Sequence, residues 1–398
     1  MSDPNAEKIE KAVATLVAAH DPKTTDRADF RHRQFDAGLA WVHFPEGDGG
    51  LGLEPGMQKL ADRLLREAGA PPPWDELFFA LGLAGPTVVT HGSPELKARL
   101  LPRMFAGDDV WCQLFSEPGA GSDLASLACR AVRDGDEWIV TGQKVWNTMA
   151  HLANRAMLVA RTDPGVRKHK GLTYFALDMT APGVEVRPLV QMTGDAEFNE
   201  VHLDEVRIPD SDRIGEAGDG WRVSMTTLMN ERTSIGAGGG NRPVRGSGAI
   251  AEAVRIWEER ADRDPVVRDQ LVRLWVDAEV LRLTNMRASE MRRAGNPGPE
   301  GSIAKLRFAE VNKDIYEFCV NLLGASGLVD YDYAMERSDV IGLVGDPGSG
   351  RKMFLRSRAN SIEGGTSEIQ RNILGERVLG MPGEPRVDKE LPWSDVPR

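Results

Sequence analysis

Residues Trp111–Ser126 read WCQLFSEPGAGSDLAS, and this stretch divides the chain. It opens on a short apolar run and turns at Pro118-Gly119-Ala120-Gly121, with Ser116, Glu117, Ser122 and Asp123 on either side. A tight Gly/Pro turn exposes backbone N–H groups and lets a flat ligand approach the main chain without interference from a Cβ. A single glycine pair would mean only a well-made loop. From Trp111 to about Pro209, short β-rich runs alternate with turn signals. They are Glu137–Thr141, Ala156–Arg161, Leu172–Leu177, Val184–Leu189 and Glu200–Val206, broken by Asp134-Gly135, Asp163-Pro164-Gly165 and Pro182-Gly183. Strands at this spacing without intervening helices predict an antiparallel barrel or sandwich.

On both sides of this region the texture is helical. Ala6–His20 carries Ile9, Val13, Leu16 and Val17 at the spacing of one helix face. Helices are also expected around Met57–Ala68, Glu76–His91 and Glu95–Phe105, with breakers at Pro45–Pro55 and Pro71–Pro73. After Gly220 the 3.6-residue period returns. Val266–Arg293 aligns Leu271, Leu274, Ala278, Leu281 and Ala288, and Ser302–Leu323 aligns Ile303, Leu306, Ile315, Phe318 and Leu322. Such stripes build a helical bundle. The expected class is α+β, with an N-terminal helical domain (1–110), a central β domain (111–219) and a C-terminal helical bundle domain (220–398).

The chain has 398 residues, 60 acidic and 49 basic, for a net charge of −11. With 41% hydrophobic and 27% charged residues it has the composition of an ordinary globular protein. The acidic balance argues against nucleic acid or an anionic membrane as partner. Cys112, Cys129 and Cys319 are too few and too scattered for a disulfide framework or a metal site, and suit a reducing cytoplasm. No signal peptide is expected from the first twenty residues, and no apolar run reaches the ~18 residues of a membrane span.

Three glycine clusters mislead. Gly47–Gly52 (GDGGLG) matches a dinucleotide fingerprint but lacks a strand–helix setting, so it reads as a surface turn. Gly345–Lys352 (GDPGSGRK) has Arg351 where a phosphate-binding loop needs lysine, and Lys352 rather than Ser or Thr follows it. Gly236–Gly240 lies in a helical stretch, where small residues permit close packing.

The 111–126 segment resembles the first signature of the acyl-CoA dehydrogenase family, and further matches follow in that family's order. Gly142–Thr148 (GQKVWNT) resembles its second flavin-contacting segment, and Phe198–Pro209 leading to Gly215–Trp221 resembles the return from its β domain to helices. Asn321–Gly327 (NLLGASG) resembles a flavin-contacting helix end, and Ile362–Arg371 (IEGGTSEIQR), continuing to Pro382, resembles the C-terminal signature.

The resemblance implies removal of an acyl-CoA α-proton and transfer of the β-hydrogen to FAD, giving a trans-2-enoyl-CoA. The chemistry needs a carboxylate over the α-carbon, donors for the thioester oxygen, and a flat flavin in a dry site. One family branch carries its glutamate where this chain has Gly364, which cannot act as a base. Another carries it before an arginine on the helix after the β domain, and Glu231-Arg232 fits that place. Glu231 is therefore the expected base. Glu363, one residue before Gly364, is the rival, although a one-residue shift can turn its side chain away. The Gly364 backbone N–H and a ribityl hydroxyl are implied donors to the thioester oxygen.

For FAD, the matched positions are Gln113, Phe115, Ser116, Trp146, Thr148, Thr366 and Glu368. Arg260, Asn321 and Ala325 match contacts around the subunit interface. There, Arg260–Asp264 keeps an arginine but loses the family's Phe-Gly, and Asn321 replaces a common glutamine. Ser122 and Arg232 match acyl-CoA contacts, and Leu228 is expected to line the acyl pocket. No metal is expected. The implied partners are an electron-transfer flavoprotein and further copies of the chain, as a dimer or homotetramer. The alternatives are an oxygen-reacting oxidase or flavin monooxygenase of the same fold, and a subunit of a mixed tetramer with an incomplete site. The acyl group is not legible in the sequence.

Overall fold

The computed structural model describes residues 3–70, 72, 74–236, 244–293, 300–329, 334, 335, 337, 350–386 and 388–397. The chain forms two compact units. The first contains Met1–Leu189, Phe198–Asn230 and Asp388–Arg398, and the second Val190–Glu197 and Glu231–Val387.

The first unit begins with α1 (Pro4–Ala19), capped by Asp3 and burying Ile9, Val13 and Leu16 as the spacing predicts. Helix α2 (Arg27–Asp36) was not expected. Its buried face contains Arg31 and Gln34 beside Phe30 and Phe35, so the apolar stripe is interrupted by polar residues. Next come α3 (Gln58–Glu67), α4 (Trp74–Phe79) and α5 (Gly85–His91), the last two joined by a π-helical turn at Ala80–Ala84 inside the expected Glu76–His91 helix. Helix α6 (Pro94–Ala106) is capped by the Ser93 hydroxyl and stopped by Gly107 at φ +90°. The Gly47–Gly52 turn is a packing device as much as a surface feature. Gly49 and Gly50 are buried, and a Cβ on Gly50 would lie 2.0 Å from the Phe44 carbonyl oxygen.

The sheet comprises β1 (Trp111–Leu114), β2 (Arg130–Asp134), β3 (Glu137–Lys144), β4 (Arg155–Arg161), β5 (Leu172–Asp178), β6 (Val184–Leu189), β7 (Phe198–Pro209) and β8 (Arg213–Ile214). Its order is β6-β7-β3-β2-β4-β5-β8, with β1 beside β4. Most pairs are antiparallel, but β1–β4 and β2–β4 are parallel, so the sheet is mixed. On β4, Met157 and Val159 join the core beneath the N-terminal helices, whereas Ala156, Leu158 and Ala160 join a second core with Val140, Val201 and Ile208. This period-2 split buries β4 on both faces, which explains its continuous apolar run.

After β7, Asp210 accepts hydrogen bonds from Arg213 Nε (2.9 Å) and from the Trp138 indole (2.7 Å). The Arg213 hydrogen bond holds its carboxyl at about 2, below the ordinary 3.8. A depressed folded-state pKa stabilises above the unfolded value and is lost as pH falls through the folded one. Solvent screening limits this contribution to about 1 kcal/mol. Asp210→Asn is therefore expected to lower unfolding free energy by about that amount at neutral pH. In urea titrations the gap from the parent should narrow below about pH 4. A gap independent of pH would show that the ion pair contributes nothing.

Helix α7 (Gly220–Gly236) runs out of the first unit. The second unit continues with α8 (Ala249–Glu259), α9 (Pro265–Arg293), α10 (Glu300–Leu323), α11 (Gly350–Ser357) and α12 (Ser367–Ile373). Its core gathers Ile250, Ile256, Trp257, Leu271, Ile315, Phe318 and Leu322. Besides the expected stripe, α9 carries a second one at Val272, Val276, Val280 and Leu283, each about half exposed. Of the expected glycine clusters, residues 237–240 and 345–349 lie outside the described residues, while Gly350–Lys352 opens α11. There Arg351 donates to the Ser326 and Val329 carbonyls, and Lys352 pairs with Asp195 at 2.7 Å. No described helix is long and apolar enough to cross a membrane, and the three cysteines are buried and unbridged.

Candidate active site

In the first unit, a buried ion pair ties the two matched flavin segments together. Lys144, fully buried at the end of β3, donates to Glu117 Oε1 (2.8 Å), Phe115 O (3.1 Å) and Val159 O (2.8 Å). Glu117, 8% exposed, accepts two further backbone bonds, from Ala128 (2.6 Å) and Cys129 (2.9 Å). Both charges are thus paired and hydrogen-bonded, the condition under which buried charge is tolerated. Glu117 and Ala120 close the intervening turn through reciprocal backbone bonds of 3.0 Å. Val145 N donates to Ser116 O at 2.9 Å, joining the segments a second time. Sequence reasoning quoted Glu117 and Lys144 without giving them this role.

This lattice presents Trp146. Its backbone has φ +61°, in the left-handed region, and its side chain is 56% exposed although its neighbours Val145 and Asn147 are buried. The ring touches Phe198 edge-on at 5.8 Å. An exposed indole on a strained backbone is the reverse of a core aromatic, and such strain collects at ligand sites. Asn147 is held by backbone bonds with Asn199 and donates to Gln113 O (2.9 Å). Its buried Oδ1 has no hydrogen-bond partner among the described residues. A Cβ built on Gly119 or Gly121 meets nothing within 4 Å, so the turn is open on its outer side. An exposed flat ring, an open glycine turn and an unpartnered acceptor fit one side of a large aromatic cofactor. Gln113, Ser116 and Thr148 are half-buried around this feature, and Phe115 is buried edge-on to Tyr174 at 5.8 Å. Ser122 is exposed at the far end of the turn. Leu228, on α7, packs partly buried against the first core, as do Phe78, Phe79 and Trp221.

In the second unit the two candidate bases differ in setting. Glu363 is clamped: Arg356 meets both its oxygens (3.2 and 3.0 Å), and Asn360 Nδ2 donates to it at 2.8 Å. Arg356 is 8% exposed and also pairs with Glu197 at 3.3 Å. Burial opposes its charge, but the Glu363 and Glu197 carboxylates outweigh that and raise its pKa. Glu231 is half-buried on α7, four residues beyond Thr227. The side chain of Arg232 lies outside the described residues.

Gly364 and Gly365 have φ +61° and +89°, left-handed values that L side chains rarely adopt. A Cβ on Gly364 would have room, its nearest neighbour being Lys305 Cε at 3.9 Å, so backbone conformation is what favours glycine there. Lys305 Nζ anchors the loop by donating to Asn360 O (2.8 Å) and Gly365 O (2.6 Å), and burial lowers its pKa. Thr366 caps α12, its hydroxyl accepting from Ile369 N at 3.2 Å. Glu368 is exposed and pairs with Arg371. Arg260 donates to Leu322 O near the end of α10, while Asn321 and Ala325 are exposed there. Of the matched residues, the structure groups Gln113, Phe115, Ser116, Trp146 and Thr148 in one unit. It groups Glu363, Gly364, Thr366 and Glu368 in the other.

Comparison with known proteins covers most of the chain. Three family profiles match, for the acyl-CoA dehydrogenase N-terminal domain (residues 4–108), middle domain (112–206) and C-terminal domain (218–379). Acyl-CoA dehydrogenase IpdE1 of Mycobacterium tuberculosis is 37% identical over 360 residues, 90% of this chain and 89% of that protein. Among solved structures, the Tcur3481-Tcur3483 steroid ACAD superposes with a TM-score of 0.69 at 26% identity, covering 96% of this chain and 99% of that one. The ChsE4-ChsE5 complex from Mycobacterium tuberculosis gives 0.66 at 26% identity, with 96% and 99% coverage. With its helical, β and helical segments all matched in order, the chain belongs to the acyl-CoA dehydrogenase family of FAD-dependent oxidoreductases.

Proposed function

We propose that the chain dehydrogenates an acyl-CoA thioester between its α and β carbons, giving the trans-2-enoyl-CoA, with Glu231 as the base. When bound, FAD supplies the hydride acceptor. Trp146 covers one part of that cofactor, with Gln113, Phe115, Ser116 and Thr148 around it and Thr366 and Glu368 contributing from the C-terminal signature. Glu231 takes the α-proton, and the Gly364 N–H donates to the thioester oxygen as it gains charge. Ser122 and Arg232 hold the coenzyme A portion, and Leu228 lines the acyl pocket. The division at residues 110 and 219 belongs to the same reading.

The observation that carries the assignment is the engagement of the rival carboxylate, Glu363. Glu363 is committed to Arg356 and Asn360, so taking a proton would sacrifice charge-assisted bonds to a buried guanidinium. Glu231 sits half-buried on α7, the helix that follows the β region.

The exposed second stripe of α9 suits self-association, as a dimer or homotetramer. Arg260, Asn321 and Ala325 would then serve cofactor contacts near that interface. A mixed assembly is the second reading, favoured by Arg260 being engaged at Leu322 O and by likeness to a two-component complex. Electrons are proposed to pass to an electron-transfer flavoprotein, and the three unbridged cysteines suit a cytoplasmic location.

Likeness to a steroid ACAD makes a ring-bearing acyl group the first substrate class to test. Anaerobic titration of the purified yellow protein with straight-chain, branched and steroid-derived thioesters is expected to bleach the flavin absorbance with one class. A flavin-loaded protein bleached by none would overturn the reading. A stable protein purified without flavin would favour the mixed assembly.

A further inference from the structure

The last described residues, 388–397, fold back onto the first unit and converge on the loop after Ser122. Lys168 is 3% exposed, and its ammonium lies between Asp123 Oδ2 (2.7 Å) and Asp388 Oδ2 (2.6 Å). Asp123 Oδ2 also accepts from the Ser126 hydroxyl at 2.5 Å. The Trp393 indole N–H donates to Ser126 O at 3.2 Å, and its ring covers the guanidinium of Arg161 at 4.3 Å. Arg161, itself 2% exposed, donates to Ala125 O (2.6 Å), Leu127 O (3.0 Å) and Lys168 O (3.1 Å). Backbone bonds from Trp393 to Val166 O (2.8 Å) and from Ser394 to Pro164 O (3.0 Å) hold the tail in place.

Three successive carbonyls, of Ala125, Ser126 and Leu127, are thus occupied by side chains from distant segments. The loop's own regular structure is one 3₁₀ turn, Leu124–Ser126, too short to hold itself. Of the groups holding it, Trp393 comes from the tail, Asp388 from the tail acts through Lys168, and the Trp393 ring covers buried Arg161, whose hydrogen bonds are stronger away from water.

We propose that this tail is a strap that orders the 122–127 loop before coenzyme A binds, with Trp393 and Asp388 as positioning residues. The inference rests on the assignment of Ser122 to the coenzyme A portion of the substrate. A loop already ordered binds more tightly because no freedom is lost on association.

The test is calorimetric titration of the FAD-loaded full chain with free coenzyme A, beside hydrogen exchange at the Ser126, Leu127 and Ala128 amides. Trp393→Ala is expected to weaken binding about 10-fold and to speed exchange at those amides, with flavin content unchanged. Asp388→Asn should act in the same direction, and Trp393→Phe, which keeps a ring over Arg161, should recover most of the affinity. Ser122→Ala separates the two claims. If it weakens binding while the tail variants do not, the strap is overturned and the Ser122 assignment stands. If neither kind of variant changes affinity, both fall, and faster exchange without lost affinity likewise overturns the strap.

Discussion

Glu231→Gln is expected to slow flavin reduction by a bound acyl-CoA by about 10²–10⁴-fold, the contribution of a positioned general base. The substitution keeps the shape of the side chain and removes its capacity to take a proton, so flavin content should stay near the parent's. Anaerobic stopped-flow bleaching, with the thioester found by titration, reads the chemical step directly. Glu363→Gln is the matched control and should fail differently. It weakens the fork from Arg356 and the bond from Asn360, and hydrogen bonds to charged groups contribute about 1.5–3 kcal/mol each. Its main effect should therefore be on stability, with bleaching slowed less than in the Glu231 variant. Bleaching at the parental rate in Glu231→Gln, with collapse in Glu363→Gln, would exchange the two roles.

Lys144→Met should be the most destabilising single change in the β region. It leaves Glu117 buried with its nearest cation gone, and breaking a buried pair on one side costs about 3–5 kcal/mol. It also strips a donor from the Phe115 and Val159 carbonyls. Because Phe115 and Ser116 in one segment and Trp146 in the other are proposed to hold the flavin, flavin should be lost before the chain unfolds globally. Urea titration followed by far-ultraviolet dichroism, with flavin fluorescence reporting release, separates the two events. The double variant Lys144→Met/Glu117→Gln removes both charges and is expected to recover part of the loss. A Lys144→Met protein within 1 kcal/mol of the parent would mean that the pair does not join the two segments energetically.

The helices and strands that were legible share one property: their burial repeats at a fixed local spacing. Ile9, Val13 and Leu16 on α1, and Ile315, Phe318 and Leu322 on α10, are buried as a 3.6-residue period requires. Among the elements that escaped, some have inward faces that do not look apolar and others are too short to show a period. Helix α2 buries Arg31 and Gln34, β2 (RAVRD) buries a single alanine, and β1 is four residues long. The site shows the same division. Motif order along the chain singled out the two segments that Glu117 and Lys144 join, and the departure at Gly364 is what makes Glu231 the proposed base.

Local sequence was therefore enough for the α+β class, the order of its parts and the identity of the signature segments. It could not show that Glu117 and Lys144, 27 positions apart and ordinary surface charges by type, would meet inside the protein. Nor could it show that Glu363 would be spent on Arg356, or that Trp393 would cover Arg161. Those outcomes depend on strand register and on which loop returns to which strand. A periodicity reports whether one residue is inside or outside, while the partner of a buried charge is settled only when distant segments pack.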